Sequence, residues 1–327
     1  MNILSHWTVS MACWKKSDFD AGRAPRCLTS FQIRTDHAVQ NSTTQENINK
    51  NNNNTESLSM SAIEFKKEGH IAWITINRPK AKNTLNAEAF VLLNECWDKV
   101  RNDDDIRVAI LTAEGEEDFC CGGDLAGVIP LWTGAKQPEN DIERKLLDDP
   151  QTVNKVMLKV EPLYKPIISA INGRALGGGC EILQATDIRL ASENASFGLP
   201  EPKRGIVPGG GSMVRLVRQL PYAHAMKILL TGEAIDANTA QKIGLISEVV
   251  PAANLKQRAK ELAEQVAKNA PLALQAIKRT ALDSYTENWN DAFQKEADES
   301  AVVMMSKDAR EGTKAFTEKR QPEFTAA

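Results

Sequence analysis

Apolar and polar positions begin to alternate regularly at about residue 61. Residues 63–65 and 71–76 alternate on either side of a Glu-Gly pair, which predicts the two strands of a hairpin. The short apolar run 108–112 predicts a buried strand. Between these strands, Asn86 can cap a helix over residues 87–101, where apolar side chains recur at helical spacing. The pattern therefore predicts strand, helix and strand in succession.

The same alternation continues around the most informative stretch of the chain. Residues 167–171 predict a buried strand, Asn172-Gly173 predicts a turn, and a helix is expected from Cys180 onward. Residues 188–191 predict a further strand. Strands that alternate with helices in this way are joined by parallel crossovers, which indicates an α/β fold. Segment 126–160 is mixed and polar, and predicts loop and helix.

The C-terminal part has a different pattern. From residue 254 the chain is predicted to be mostly helical, with a break at Pro271. We therefore expect a core domain over residues 60–253 and a C-terminal helical region over residues 254–327.

Residues 1–59 show no apolar periodicity and end in an asparagine-rich run. This composition predicts disorder. The basic residues Lys15, Lys16, Arg23, Arg26 and Arg34 favour a transit peptide, whereas Asp18, Asp20 and Asp36 are against one. We expect a working protein that begins at Met60, with the preceding residues an extension without a structural role.

Three consecutive glycines, Gly177 to Gly179, stand just before the predicted central helix, and Glu181 lies in its first turn. Glycine lets a ligand approach the backbone closely, and the first N–H groups of a helix have no partner within it. Such donors favour an oxygen that becomes negative during reaction, and the nearby acid suits proton transfer. A tight turn followed by an acid that complements the helix dipole is the alternative interpretation.

Composition narrows the possible functions. A net charge of -3 with 42% apolar and 25% charged residues is ordinary for a globular protein and gives no basic excess for nucleic acid. No run approaches the roughly 20 apolar residues of a membrane span. Six cysteines without metal-ligand spacing indicate no metal site and reduced thiols, hence the cytoplasm or, alternatively, the mitochondrial matrix. Four histidines in no catalytic pattern are against a Ser-His-Asp site.

Two further glycine-rich segments change the interpretation. Residues 119–125 follow a predicted strand and read Phe-Cys-Cys-Gly-Gly-Asp-Leu, while residues 196–201 read Ser-Phe-Gly-Leu-Pro-Glu and precede a glycine-rich run at 205–211. Together with residues 167–185, these segments resemble the crotonase family, also called the enoyl-CoA hydratase/isomerase superfamily. The resemblance covers residues 61–324 and extends to three more segments: Asn77 to Lys80, Leu230 to Glu233 and Glu311 to Arg320.

The resemblance implies a crotonase ββα superfold with a C-terminal helical trimerisation region, and homotrimers that often pair into hexamers. It implies an enoyl-CoA or 3-hydroxyacyl-CoA thioester as substrate, with no cofactor beyond the coenzyme A of the substrate. The oxyanion-hole donors fall on Gly123 and Gly178, and the catalytic pair falls on Glu181 and Glu201. Many relatives have alanine where this chain has Gly123, but only the N–H is used.

Other residues have two interpretations. Asp124 either contacts coenzyme A or caps a helix, Gly209 either shapes the water site or makes a turn, and Leu125 is expected near the substrate. Cys180 is expected to pack. Leu131 and Trp132 are candidates for the acyl pocket. Lys278 and Lys319 either meet coenzyme A phosphates or are solvated.

Two glutamates favour an enoyl-CoA hydratase, a hydro-lyase that adds water across the 2,3 double bond or catalyses the reverse dehydration. The alternatives are other crotonase chemistry such as double-bond isomerisation, which usually lacks one or both glutamates, and a non-catalytic acyl-CoA or RNA-binding protein. The helix face at residues 256–268 carries both basic and acidic residues, which weakens the RNA-binding alternative.

Overall fold

The computed structural model describes residues 61–327. Its strands form two sheets. The larger sheet has the order β1-β2-β3-β5-β7-β10, and only the β1–β2 pair is antiparallel. The smaller sheet has the order β4-β6-β8-β9. The strands are β1 (Ile63–Glu68), β2 (Ile71–Ile76), β3 (Val108–Ala113), β4 (Asp118–Cys120), β5 (Ile167–Ile171), β6 (Arg174–Leu176), β7 (Ile188–Ser192), β8 (Ser196–Gly198), β9 (Ile235–Asp236) and β10 (Glu248–Val250).

The strands predicted from alternation are confirmed, within one to three residues at their ends. The hairpin pairs Ile63 with Ile76 and Glu68 with Ile71. Strands β3 and β5 are buried along their whole length, because each lies inside the parallel sheet with both faces covered. Their continuous apolar sequence is the direct consequence.

The smaller sheet was not predicted, and it positions the functional residues. Its strands have only two or three residues each, too short to show alternation. Strands β4, β6 and β8 are mutually parallel, so their carboxyl ends meet at the same edge. The segments that leave this edge carry Gly123, Gly178 and Glu201, which brings three distant parts of the chain together.

Helices surround the sheets. The first begins where predicted, and the side chain of Asn86 accepts a hydrogen bond from the Ala89 N–H at its N-terminus. The helices are α1 (Ala87–Asn102), α2 (Val128–Trp132), α3 (Asp141–Asp148), α4 (Thr152–Val156), α5 (Gly178–Leu183), α6 (Ser212–Gln219), α7 (Tyr222–Thr231), α8 (Ala237–Lys242), α9 (Leu255–Ala267), α10 (Pro271–Asp283), α11 (Trp289–Met304) and α12 (Lys307–Glu318).

The C-terminal helices differ in how they are packed. Helix α9 buries Leu255, Ala259 and Ala263 against one face of the larger sheet. Helix α10 begins at Pro271, as the sequence predicts, because proline fits the first helical position. Helix α11, in contrast, buries none of its residues.

The structure does not test two of the predictions about segments of the chain. The extension over residues 1–59 lies outside the described residues. The division into a core domain and a C-terminal region at residue 254 stays a prediction. Within residues 61–327, none of the helices combines the length and the apolarity that crossing a bilayer requires.

Candidate active site

The loop after β4 is held to the start of α1 by a short parallel bridge. Leu85 donates its N–H to the Gly122 carbonyl at 2.8 Å and accepts from the Asp124 N–H at 2.8 Å. In a parallel bridge the residue between these two contacts directs its own N–H to the opposite side. The N–H of Gly123 therefore points away from Leu85, toward the glycine run that follows β6.

The second donor comes from the start of α5. A Cβ placed on Gly178 would lie 3.6 Å from the Gly123 nitrogen and 3.4 Å from the Gly122 α-carbon. Gly178 is the first residue of α5, so its N–H has no acceptor within the helix. The structure thus brings Gly123 and Gly178 together, as their sequence positions predict.

The next glycine allows this approach. A Cβ on Gly179 would stand 2.0 Å from the Cys120 carbonyl oxygen, which no side chain could tolerate. Helix α5 therefore packs backbone to backbone against the end of β4. This contact fixes the distance between the loop that carries Gly123 and the helix that carries Gly178.

Glu181 lies one turn into α5 and is 5% exposed. Its Oε1 accepts a hydrogen bond from the Ser212 N–H at 3.3 Å. A Cβ on Gly210 would come within 2.7 Å of its Oε2, so this glycine leaves room for the carboxyl group. Burial, together with the negative charge of Glu201, raises the pKa of Glu181 above its ordinary value.

Glu201 begins the short 3₁₀ turn Glu201–Arg204 after β8. Its Oε1 lies 3.0 Å from the position that a Cβ on Gly177 would occupy. Burial raises the pKa of Glu201, and Arg204 opposes this shift. Its Oε2 is buried and has no hydrogen-bond partner within residues 61–327. A buried acceptor without a partner is costly in an apolar setting, and a reacting water or substrate would supply one.

The remaining predicted contact residues are placed less centrally. The Asp124 side chain accepts from the Gly127 N–H at 3.2 Å, in the turn that precedes α2, and pairs with Arg78 at 3.3 Å. Leu125 is exposed beside this loop. Gly209 lies on an exposed turn, and its neighbour Gly210 is the residue that contacts Glu181.

The structure also places the secondary candidates. Leu131 is buried in the core, away from solvent, whereas Trp132 is partly exposed and packs edge-on against Phe90. Cys180 is fully buried, in agreement with a packing role. Lys278 does not extend into solvent: its Nζ donates to Asp187 at 2.7 Å and to the Lys165 carbonyl at 3.1 Å.

Sequence reasoning missed the residues that surround Glu181. Gly210 belongs to the glycine-rich run 205–211 and Ser212 directly follows it, but the choice among the glycines of the run needs the three-dimensional approach to Glu181. Met157, whose Cε lies 3.5 Å from the Cβ position of Gly178, gave no signal. It comes from segment 126–160, in which no motif was recognised.

The chain was compared with known families, curated proteins and solved structures. Residues 66–327 match the model of the family described as enoyl-CoA hydratase/isomerase. An enoyl-CoA hydratase of Mycobacterium tuberculosis is 43% identical over 79% of this chain and 94% of the relative. A short-chain-enoyl-CoA hydratase of Clostridium acetobutylicum is 35% identical over 81% of this chain and 98% of the relative.

A solved structure gives the same result for the fold. The crystal structure of an enoyl-CoA hydratase from Bacillus anthracis is 34% identical, covers 81% of this chain and all of its own, and superposes with a TM-score of 0.73. The predicted crotonase fold is confirmed by this similarity. On the family match, the relatives and the fold together, the chain belongs to the enoyl-CoA hydratase/isomerase family.

Proposed function

We propose that the protein is an enoyl-CoA hydratase that adds water across the 2,3 double bond of an enoyl-CoA thioester, or removes it in the reverse direction. The observation that carries this proposal is the pair of carboxyl groups on buried Glu181 and partly buried Glu201, beside two converging backbone donors. Relatives at 33–43% identity that are named as hydratases support it.

The backbone donors act on the carbonyl. The N–H groups of Gly123 and Gly178 would bind the thioester oxygen and stabilise the negative charge that it gains as the enolate forms. A donor of this kind typically contributes about 3–4 kcal/mol to the transition state. Because both donors are backbone groups in a packed contact, they need no reorganisation during the reaction.

The carboxyl groups act on a water molecule. Glu201 would take a proton from this water as its oxygen bonds to C3, and Glu181 would deliver a proton to C2. The unpartnered Oε2 of Glu201 supports its assignment as the base. The raised pKa of both groups favours proton exchange, since a carboxyl group of higher pKa holds a proton at a higher pH. These steps are proton transfers, so the proposed reaction requires neither a metal ion nor a redox cofactor.

The test is hydration in isotopically labelled water. Purified protein is incubated with crotonyl-CoA in H₂¹⁸O, and the product is analysed by mass spectrometry. We expect 3-hydroxybutyryl-CoA with one ¹⁸O atom at C3. Double-bond migration in a 3-enoyl-CoA without uptake of oxygen would instead identify an isomerase, and binding without turnover would identify a non-catalytic protein.

We also propose that the chain assembles into homotrimers or hexamers. Large apolar side chains on the C-terminal helices support this: Trp289 is 80% exposed and Phe316 is 85% exposed. A groove between α10 and α11 encloses about 550 Å³ and is lined by Ile277, Phe293 and Met304 among others. Native mass spectrometry of the full chain tests the assembly, and a monomer at micromolar concentration would contradict it.

A cellular role can be proposed from the same hydration reaction. We propose a place in fatty-acid β-oxidation in a bacterial-type cytoplasm, with the mitochondrial matrix as the alternative. Bacterial hydratases among the relatives support the first location. Four cysteines within residues 61–327 are free thiols, which fits either reducing compartment.

A further inference from the structure

The end of helix α4 is held by side chains from two other helices. Its last carbonyl groups have no partner within the helix, as at every helix end. The Val156 carbonyl accepts from Trp97 at 3.1 Å. Arg215 donates to the next two carbonyls, those of Met157 at 2.8 Å and Leu158 at 2.7 Å. One guanidinium group therefore satisfies two consecutive carbonyls.

The turn held in this way is strained. Leu158 has φ +50°, in the left-handed region. This conformation is unfavourable for a residue with a side chain. It persists where surrounding contacts determine it, and here the contacts with Arg215 do so. The planar, forked guanidinium can reach both carbonyls at once, which a lysine ammonium at the same position could not do without moving the turn.

Met157 projects from this turn to the oxyanion donors. Its Cε lies 3.5 Å from the Cβ position of Gly178, and the Gly123 nitrogen is 3.6 Å from the same point. The Met157 side chain is 3% exposed and so is held in place by packing. Its methyl end therefore lies beside the two backbone segments that carry the proposed donors.

The turn that carries Met157 also contacts the segment around Glu181. Lys159, in the same turn, donates to the Gly209 carbonyl at 2.9 Å. Arg215 lies on α6, which also supplies the Ser212 N–H to Glu181. The turn is thus hydrogen-bonded to the segment that surrounds Glu181, where proton transfer to C2 of the acyl group would occur.

We propose that Met157 determines which substituents the enzyme accepts at C2 of the acyl group, and that Arg215 is the positioning residue that holds it there. The inference rests on the proposed hydratase function. An enoyl-CoA without a branch at C2 fits beside Met157, whereas a methyl branch at C2 meets the methionine methyl group. Removing the Met157 side chain, or the Arg215 contacts that hold it in place, allows the enzyme to accept a substrate with a methyl branch at C2.

The experiment compares two substrates on the same enzyme preparation. Crotonyl-CoA and 2-methylcrotonyl-CoA are hydrated by the wild type, Met157→Ala and Arg215→Lys, and the ratio of their kcat/KM values is recorded. This ratio does not depend on the folded fraction, so a variant that is merely less stable leaves it unchanged. We expect both variants to shift the ratio toward the branched substrate by at least about tenfold, in the range typical of one methyl group in an apolar pocket.

Two controls separate positioning from general effects. Arg218→Lys alters an arginine on the same helix whose side chain, within residues 61–327, donates only to the carbonyl of Val214, at 2.9 Å. This variant should keep the wild-type ratio. The double variant Met157→Ala/Arg215→Lys should shift the ratio no further than Met157→Ala alone, because the second change acts through the missing side chain. Additive shifts, or a wild-type ratio in Met157→Ala or Arg215→Lys, would overturn the proposal.

A binding measurement tests the roles of Met157 and Arg215 independently of whether the protein is a hydratase. The affinities of butyryl-CoA and 2-methylbutyryl-CoA, which cannot be hydrated, are measured by calorimetry for the same variants. A shift of their ratio in Met157→Ala and Arg215→Lys supports the positioning role even if crotonyl-CoA is not turned over. Equal ratios in the wild type and both variants would contradict it, whatever the result with crotonyl-CoA.

Discussion

The carboxyl group of Glu201 lies directly over the α-carbon of Gly177, so that a methyl group there would stand 3.0 Å from Oε1. Gly177 has φ +53° and donates its N–H to the Gly198 carbonyl at 2.9 Å. Glu201 and Gly177 follow the ends of the adjacent parallel strands β8 and β6. The glycine that starts the donor turn thus also makes room for the proposed base.

The first prediction follows from this contact. Gly177→Ala should displace the Glu201 carboxyl group and lower kcat for hydration by about 10²-fold, as misplacements near 1 Å can do. The control is Gly69→Ala in the β1–β2 turn, where φ is +56° but no atom of residues 61–327 lies within 4 Å of the added methyl group. Both variants place alanine at a positive φ, and a loss of kcat specific to Gly177→Ala supports the contact. Equal kcat values would contradict it.

The second prediction concerns the base. Glu201→Gln keeps the size of the side chain and removes its ability to accept a proton, so hydration should fall by about 10²–10⁴-fold. Binding of a saturated acyl-CoA, measured by calorimetry, should change little. Glu193→Gln, on an exposed residue outside the site, serves as the control. Near-wild-type hydration by Glu201→Gln would exclude the assigned role.

The third prediction separates the backbone donor from the acid. Gly178→Val would push its branches toward Gly123 and Met157, and should lower turnover by at least about 10²-fold. It should also abolish the spectral shift that a polarised enoyl thioester shows when bound. Glu181→Gln should lose turnover yet keep much of that shift. If Gly178→Val polarises the thioester normally, the glycine run is only a turn.

The fourth prediction is a pH dependence of stability. Because burial raises the pKa of Glu181 in the folded protein, the neutral carboxyl group stabilises the fold at low pH. This contribution is lost as the pH rises through the raised pKa. Gln is neutral at every pH, so Glu181→Gln should exceed the wild type in Tm at neutral pH by at least about 2 °C, with a difference that shrinks in acid. A difference independent of pH would contradict this reasoning.

The fifth prediction concerns the N-terminal extension. Deleting residues 1–59 should leave hydration and assembly unchanged, because the composition of this segment cannot bury a core. The described fold begins with β1 at Ile63, and Ala62 before it is already buried. Activity and native mass of the truncated chain are measured beside those of the full chain. Loss of the soluble oligomer would show that the extension has a structural role.

The sequence allowed five of the six strands of the larger sheet to be predicted, and the two glutamates to be singled out, because each has a strong local signal, whereas the three-residue strand β10 was not predicted. Strands β3 and β5 are continuous apolar runs, and the helix α1 has a capping asparagine. Glu181 and Glu201 stand in segments whose residue order resembles the family. Each of these signals is carried by residues that are adjacent in the sequence.

The smaller sheet and the surroundings of Glu181 depend on contacts between distant segments instead. Strands of two or three residues carry no periodicity, so β4, β6 and β8 are stabilised by one another rather than by local preference. The partner of Glu181 is Ser212, thirty-one residues away, and Lys278 is paired with Asp187, ninety-one residues away. No local pattern specifies these pairs.

The backbone contact between Gly179 and Cys120 divides the site into two parts that respond differently to mutation. The proposed carbonyl-binding groups are main-chain atoms, so substitutions at other positions that preserve this contact leave both N–H groups in place. The proposed acid and base are side chains, and each can be exchanged without touching that contact. On the proposed mechanism, activation of the thioester is therefore a property of the backbone scaffold. Positions 181 and 201 are then the sites at which a different reaction of the same activated intermediate can be selected.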